Sequence, residues 1–190
     1  MRIILASQSP RRKSILEDAG INFETIPSQF DESCIQPTSK EAYVMTLSLE
    51  KAKDVFLKHQ DAVVIGADTI VYFKDKIEYY LGKPKDEDDA KRMLRMLSGN
   101  THQVLTGVTV LSKDFQESFY TVSNVKFKAL TKEDIRWYIE TKEPFDKAGS
   151  YAIQGEGHQL IDKYDGDFFT IMGLPIKEVL KVLSKKDILI

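Results

Sequence analysis

Short apolar runs alternate with amphipathic stretches from the start of the chain. Residues 2–6 are mostly apolar and predict a short buried strand. Ser9 and Pro10 then predict the N-cap and first residue of a helix, and Gly20 predicts its end. Residues 22–27 predict a second strand, so the chain is expected to open as strand, helix, strand.

The next two elements carry much of the candidate chemistry. Residues 38–41 (Thr-Ser-Lys-Glu) resemble a capping box and predict the start of a long helix that continues to about Lys58. Residues 62–67 (Ala-Val-Val-Ile-Gly-Ala) form an apolar run, which predicts a central strand that ends at Asp68.

The rest of the chain continues this alternation. The predicted elements are, in order, a strand and turn up to Gly82-Lys83-Pro84, a helix from Asp86 to Gly99, strands over 101–111 and 119–127, a helix from Thr131 to about Thr141, short strands between Tyr151 and Ile171, and a final helix that begins at Leu174-Pro175. The alternation predicts an α/β fold, and the adjacent long strands predict antiparallel pairing, so a mixed sheet is expected. No repeat or Pro/Gly/Ser-rich linker divides the sequence, which predicts a single domain over residues 1–190.

Composition narrows the class of protein. Of the 190 residues, 42% are apolar and 29% charged, with a formal net charge of −2, which is typical of a soluble globular protein and argues against nucleic-acid binding. Cys34 is the one cysteine, so an internal disulfide and a thiolate metal cage are both excluded. The opening apolar run is too short for a signal peptide, and no stretch approaches the roughly 20 apolar residues of a membrane span. A cytoplasmic location is therefore expected.

The first strand leads directly into a helix N-terminus that carries a hydroxyl and two cations, Ser7, Arg11 and Arg12. Free N–H groups at a helix start favour an anion, whereas cations oppose the helix dipole there. The arrangement makes sense if a bound phosphate neutralises both guanidinium groups. For a lone basic pair, however, a solvated turn is the commoner explanation.

Two lysines are further candidates. Lys51 lies on the apolar face of the long predicted helix, four residues after Leu47 and four before Val55. Such a lysine either extends its ammonium to the rim, which is the commoner case, or directs it into a cleft. Lys83 stands in a tight Gly-Lys-Pro loop and would be unremarkable by itself.

Acidic residues supply the candidate metal ligands and general base. Asp68 follows the central apolar strand, where it could hold a divalent cation, take a proton from a water, or do both. Glu32 could complete the metal shell, whereas Asp31 beside it reads better as part of a solvated loop. The competing interpretation of Asp68 is a turn cap.

Residues 143–155 combine charges, glycines and aromatic rings, a composition suited to close approach of backbone to a ligand. The amide of Gln154 could pair with the N–H and carbonyl edge of thymine or uracil, although guanine offers a similar pair. The alternative is a turn-rich connection. No P-loop motif is present, and His102 reads better as a structural histidine than as a catalyst.

Taken together, these segments resemble the Maf family of nucleotide pyrophosphatases. The matching segments, in the family's order, are Ser7-Gln8-Ser9-Pro10-Arg11-Arg12, Glu50-Lys51-Ala52, Gly66-Ala67-Asp68-Thr69, Leu81-Gly82-Lys83-Pro84, Ser98-Gly99 with His102 and Val104, Glu143-Pro144 through Gly155, and Gly173-Leu174-Pro175. Each is weak alone, but the ordered set spans almost the whole chain. One departure is Thr170, where family members often carry Asn.

The resemblance implies a role for each matching residue. Asp68 would be the proton acceptor acting on a metal-bound water, and Glu32 would lie on the metal side. The triphosphate contacts would be Ser7, Arg11, Arg12, Lys51 and Lys83, and substrate choice would involve Arg11, Thr69 and Gln154. The implied fold is an elongated mixed α/β structure of the Maf/ITPase type, with two lobes around a deep cleft and often a homodimer.

The expected activity is hydrolysis of dTTP and UTP, and of modified pyrimidine triphosphates, to NMP and pyrophosphate with Mg, Mn or Co. The Ile153-Gln154-Gly155 sequence resembles this branch of the family rather than the branch that acts on 7-methyl-GTP. Two alternatives stay open at this point. One is a preference for 7-methyl-GTP or another non-standard nucleotide, and the other is a non-catalytic nucleotide sensor that controls cell division.

Overall fold

A computed structural model describes residues 1–188, which fold as helices around one mixed sheet. The strands are β1 (Ile3–Leu5), β2 (Glu24–Thr25), β3 (Val63–Lys74), β4 (Glu78–Leu81), β5 (Thr101–Leu111), β6 (Gln116–Phe127) and β7 (Ile161–Asp165). The helices are α1 (Pro10–Asp18), α2 (Lys40–Phe56), α3 (Glu87–Leu97), α4 (Lys132–Glu140), α5 (Phe168–Met172) and α6 (Ile176–Lys185).

The sheet has the strand order β2-β1-β3-β5-β6-β7, and β4 pairs with β3 beside this path. Strand β1 is parallel to both β2 and β3. Strand β4 runs antiparallel to β3, and β7 antiparallel to β6. The prediction of an α/β fold with a mixed sheet is therefore confirmed.

The chain divides into two compact units. The first contains Met1–Asp68, Thr106–Thr121 and the segment that begins at Gly173, and the second contains Thr69–Leu105 and Val122–Met172. The division falls within β3, β5 and β6. Asp68 and Thr69, neighbours in β3, are assigned to different units.

In the first unit, α2 lies directly against the sheet because two strand positions have no side chain. A Cβ at Gly66 in β3 would lie 2.2 Å from the carbonyl oxygen of Ser48, and a Cβ at Gly107 in β5 would lie 2.3 Å from that of Val44. Neither distance is sterically possible, so backbone contacts fix the depth of the helix. Buried apolar side chains fill the remaining space at Ile4, Ala6, Ala52, Val55, Ala62, Val64 and Leu111.

Helix starts follow the predicted caps with one correction. Ser9 caps α1, with Pro10 as its first residue, as predicted. Helix α2 begins at Lys40 because the Ser39 hydroxyl accepts from the N–H of Ala42 at 3.1 Å. The predicted capping box over residues 38–41 is therefore wrong by one position, since the capping hydroxyl belongs to the second residue of the run.

Strand β3 corrects a second prediction. The sequence pattern predicted a strand that ends at Asp68, but β3 continues to Lys74 and Asp68 lies in its interior. The continuation is stabilised by pairing of Val71–Lys74 with β4. A carboxylate can occupy such a position only where cations compensate its charge.

The second unit has a core of its own around Phe127 and Tyr138. Its segment from Tyr151 to Ile171 was predicted to form short strands, but it contains a 3-10 turn at Gly155–Leu160, then β7 and α5. Gly155 and Gly166 have φ angles of 70° and 115°, which extended strands do not use. Across residues 1–188, no helix is both long and apolar enough to cross a membrane.

Candidate active site

Asp68 and Lys51 meet because of the way α2 lies on β3. Side chains alternate between the two faces of a strand, so Asp68 faces the same side as Gly66, two residues earlier. That side is covered by α2, whose backbone touches Gly66. Lys51 extends from α2 to this point, and its Nζ donates to Oδ1 of Asp68 at 2.5 Å.

The same ammonium group also binds a second carboxylate. Nζ of Lys51 lies 2.7 Å from Oε1 of Glu32, and the lysine side chain is only 13% exposed. Of the two interpretations of a lysine on an apolar face, the one that directs the ammonium inward is therefore correct. Asp68, Lys51 and Glu32, all predicted site residues, form one ionic cluster.

Burial changes the affinity of Asp68 for a proton. Its side chain is 9% exposed, and burial raises the pKa of the carboxyl group above its ordinary value. Lys51 and Arg12 oppose this rise, whereas the neighbouring negative charge of Glu32 adds to it. A higher pKa makes the carboxylate a stronger base towards a water molecule.

Arg12 brings the start of α1 to the same cluster. Its Nε donates to the carbonyl oxygen of Gly173 at 2.8 Å, and its Nη1 donates to Oγ of Ser7 at 3.1 Å. Burial and the charge of Arg11 lower the pKa of Arg12, while Asp68 and Glu32 raise it. An arginine stays protonated despite such a shift, so Arg12 holds a positive charge near Asp68.

The acidic loop separates two neighbouring residues by role. Asp31 caps the 3-10 turn Glu32–Cys34, and its Oδ1 accepts from the N–H of Ser33 at 3.0 Å. Glu32 instead extends to Lys51, with a side chain that is 52% exposed. The interpretation of Asp31 as a loop residue is therefore supported, and Glu32 belongs to the ionic cluster.

Tyr43 is a neighbour of the ionic cluster that the sequence analysis did not name. Burial raises the pKa of its phenol, and the nearby charges of Asp68 and Glu32 raise it further. Tyr43 precedes Lys51 by eight residues in α2, so the two lie on the same helix face. This spacing in the sequence could have indicated that Tyr43 lies near Lys51.

Three predicted substrate contacts lie in the second unit. Thr69 is half-buried in β3, and Lys83 and Gln154 are exposed on loops. The Lys83 loop is fixed by its neighbour Gly82, whose carbonyl oxygen accepts from the N–H of Gly149 at 3.0 Å. Their contact with a nucleotide stays a prediction.

The loop that carries Gln154 is tied down on its C-terminal side. Gly155 packs against the carboxylate of Glu143, since a Cβ there would lie 2.6 Å from its Oε1. The N–H of Glu156 donates to Oε2 of the same carboxylate at 2.9 Å. Within its unit, the backbone around Gln154 therefore has a defined conformation.

Two other sequence observations have structural explanations in the second unit. His102 is buried, and its Nε2 lies 2.8 Å from the hydroxyl of Tyr151; burial lowers its pKa to about 3. A neutral histidine in an aromatic cluster is structural, as predicted. Thr170 is also buried, and its hydroxyl donates to Oδ2 of Asp167 at 3.1 Å, a local contact within the turn that begins α5.

The donor set fits a divalent cation together with a substrate. Both carboxylates of the cluster, Asp68 and Glu32, contact the same nitrogen of Lys51, so they lie close together. Mg²⁺ is commonly held by one or two carboxylates plus substrate phosphates. Among residues 1–188, no group of three or more His, Cys, Asp or Glu side chains is arranged to hold a metal ion by itself.

Comparison with known families gives the deciding observation. The family model described as Maf-like protein matches residues 2–186. The chain belongs to the Maf family. The resemblance predicted from the ordered motifs is thus confirmed over nearly the whole sequence.

Maf relatives match the chain along its full length. The dTTP/UTP pyrophosphatase of Bacillus cereus (strain ATCC 14579) is 46% identical over 187 residues, covering 98% of this chain and 96% of its own. The dTTP/UTP pyrophosphatase of Clostridioides difficile (strain 630) is also 46% identical, over 97% of this chain and 95% of its own.

A solved structure supports the fold assignment. A HAM1 protein from Coxiella burnetii aligns with a TM-score of 0.52 and 11% identity, covering 97% of this chain and 99% of the other. At this identity the comparison speaks to the fold alone, and it agrees with the predicted Maf/ITPase-like architecture.

Proposed function

We propose that this Maf-family chain is a nucleoside triphosphate pyrophosphatase that hydrolyses dTTP and UTP to NMP and pyrophosphate. Relatives named for this activity match it at 46% identity over nearly their whole length. The observation that supports the chemistry is that the Lys51 ammonium contacts both the buried Asp68 and the more exposed Glu32, with Arg12 nearby. A site for binding alone would require the cations but not two convergent carboxylates.

Asp68 acts as the general base. A water molecule gives its proton to the carboxylate as its oxygen bonds to phosphorus, and the bridge between the α and β phosphates breaks. The products are NMP and pyrophosphate, and Asp68 then releases the proton to solvent, so atoms and protons balance. The raised pKa of Asp68 suits this role, because its carboxylate binds a proton more readily than an exposed aspartate does.

The cations stabilise the charge that moves onto the departing pyrophosphate. Arg12 is held in place by Ser7 and Gly173, so its orientation is fixed before the substrate binds. Preorganised cations of this kind stabilise developing charge more effectively than mobile ones. Arg11 and Lys51 add to the positive field, and Lys83 is proposed as a further phosphate contact.

A divalent cation, Mg, Mn or Co, would be held by Asp68 and Glu32. When bound it supplies positive charge that neutralises the triphosphate oxygens. Lys51 keeps the two carboxylates together and limits their mutual repulsion.

Substrate choice is proposed to depend on Arg11, Thr69 and Gln154, with the Gln154 amide reading the base. The family model crosses the division between the two units without a break, which supports treating residues 1–190 as one functional domain. A cytoplasmic location and a homodimer belong to the same proposal and stay predictions.

The test is a nucleotide panel. Purified protein is incubated with dTTP, UTP, CTP, GTP, 7-methyl-GTP and ATP, each with Mg or Mn and with EDTA as control, and products are separated by chromatography. NMP and pyrophosphate from dTTP and UTP support the proposal. The same products from 7-methyl-GTP alone would overturn the specificity, and nucleotide binding without products would instead support a sensor.

A further inference from the structure

A carboxylate on α2, that of Asp54, forms hydrogen bonds to the loop that carries Glu32. Oδ2 of Asp54 accepts from the N–H of Gln29 at 2.6 Å and from Oγ of Ser28 at 3.0 Å. Oγ of Ser28 in turn accepts from the N–H of Phe30 at 3.0 Å. One carboxylate oxygen thus fixes three consecutive residues just before the acidic turn.

These hydrogen bonds matter because Glu32 lies in a short, exposed turn. Its side chain is 52% exposed, and the 3-10 turn that carries it is three residues long and has no buried residue. The contact of Glu32 with Lys51 therefore requires that the backbone of the loop be held near α2. Asp54 follows Lys51 by three residues, so one helix face contacts the loop at both ends.

We propose that Asp54 is a positioning residue for the reaction: it fixes residues 28–30 so that Glu32 stays in contact with Lys51 beside Asp68. This inference rests on the proposed function only for its effect on catalysis. The anchoring itself is a property of the free protein. Asp54 contacts neither substrate nor metal in this proposal and acts through Glu32.

The other oxygen of the Asp54 carboxylate makes a separate contact, and removal of that contact serves as a matched control. Oδ1 of Asp54 lies 3.5 Å from Nζ of Lys58, in an exposed pair with a residue just beyond the C-terminal end of α2. Substitution Lys58→Ala removes that pair and leaves both loop contacts in place. Substitution Asp54→Ala removes both, and Asp54→Asn keeps an oxygen that can still accept from the loop.

The first measurement uses protein without nucleotide or metal. Hydrogen exchange is followed at the amides of residues 29–34 in the wild type and in the three variants. Asp54→Ala is expected to accelerate exchange at Gln29 and Phe30 and through the turn that follows. Lys58→Ala is expected to leave exchange unchanged. Unchanged exchange in a folded Asp54→Ala protein overturns the proposal.

The second measurement is a double-mutant cycle on dTTP hydrolysis. Asp54→Ala is expected to lower kcat about tenfold, as loss of a residue that orients a ligand often does. Asp54→Asn should recover part of this loss, and Lys58→Ala should stay within about twofold of wild type. When Glu32→Gln is already present, adding Asp54→Ala should lower kcat by less than about twofold, because the effect of Asp54 passes through Glu32.

The outcomes separate the two proposals. An equal loss in both backgrounds means that Asp54 acts on the fold rather than on Glu32, and this overturns the positioning role; so does wild-type kcat in a protein with a loosened loop. If Asp54→Ala fails to fold, Asp54→Asn takes its place in both measurements. If wild type hydrolyses no nucleotide, the proposed function fails. The anchoring is then tested by hydrogen exchange only: faster exchange at residues 31–34 in Asp54→Ala supports it, and unchanged exchange contradicts it.

Discussion

Nζ of Lys51 lies 2.5 Å from Oδ1 of Asp68 and joins a helix to the interior of a strand. The pair is largely shielded, with side chains 13% and 9% exposed. Removing either partner therefore leaves a charge in a poorly solvated place. We expect the contact to have both a structural and a chemical role, and the variants below separate the two.

Substitution Asp68→Asn is expected to lower kcat for dTTP by about 100-fold or more, because the proton acceptor is lost while shape is kept. Lys51 keeps Glu32 as a partner, so the fold should persist. Steady-state kinetics and circular dichroism check both points. Turnover near wild type by a folded Asp68→Asn protein would remove Asp68 from the mechanism.

Substitution Lys51→Met is expected to shift the pH dependence of kcat/KM. The positive charge of Lys51 lowers the pKa of Asp68, so its loss raises that pKa further. The carboxylate must be deprotonated to act as a base, so the acid limb moves to higher pH. Lys53→Met, which removes an exposed pair with Glu50 on the same helix, serves as control. Superimposable acid limbs in wild type and Lys51→Met would contradict the assignment.

Substitution Gly66→Ala is expected to destabilise the protein by about 1–3 kcal/mol or more, because its methyl group would meet the backbone of α2. Gly82→Ala is the matched control, since a Cβ there has no neighbour within 4 Å among the atoms described. Urea unfolding of the two variants gives the comparison. Equal midpoints would mean that α2 can move away from the sheet without loss.

His102 is expected to weaken the fold in acid. Its pKa is about 3 in the folded state, below the ordinary 6.5, so the unfolded state binds the proton more readily. Stability from this residue is complete above pH 6.5 and falls as the pH drops towards 3. The loss is up to about 1.4 kcal/mol per pH unit.

Urea unfolding of wild type and His102→Gln between pH 7 and 4 isolates this contribution. The difference in free energy of unfolding between the two proteins should change with pH as described. Parallel curves would show that another group carries the acid sensitivity.

The sequence was a good guide wherever local chemistry decides structure. Ser9-Pro10 predicted the start of α1, and the ordered motifs predicted the family. Its errors had different causes. The predicted end at Asp68 was wrong because a buried aspartate whose charge is compensated does not interrupt a strand, and residues 69–73 (Thr-Ile-Val-Tyr-Phe) continue the strand-forming pattern. The partners of Asp54 are Ser28 and Gln29, more than 20 residues earlier, and nothing near Asp54 in the sequence indicates them.

At Gly66 and Gly107 the backbone of the sheet contacts the backbone of α2 directly, and this has a consequence for how the sequence can evolve. Backbone dimensions are the same in every sequence, whereas side-chain bulk is not. The separation between α2, which carries Lys51, and β3, which carries Asp68, is thus expected to depend little on substitutions in the surrounding apolar core. Exchange among Val, Ile and Leu there is expected to alter stability while the distance between α2 and the sheet is kept.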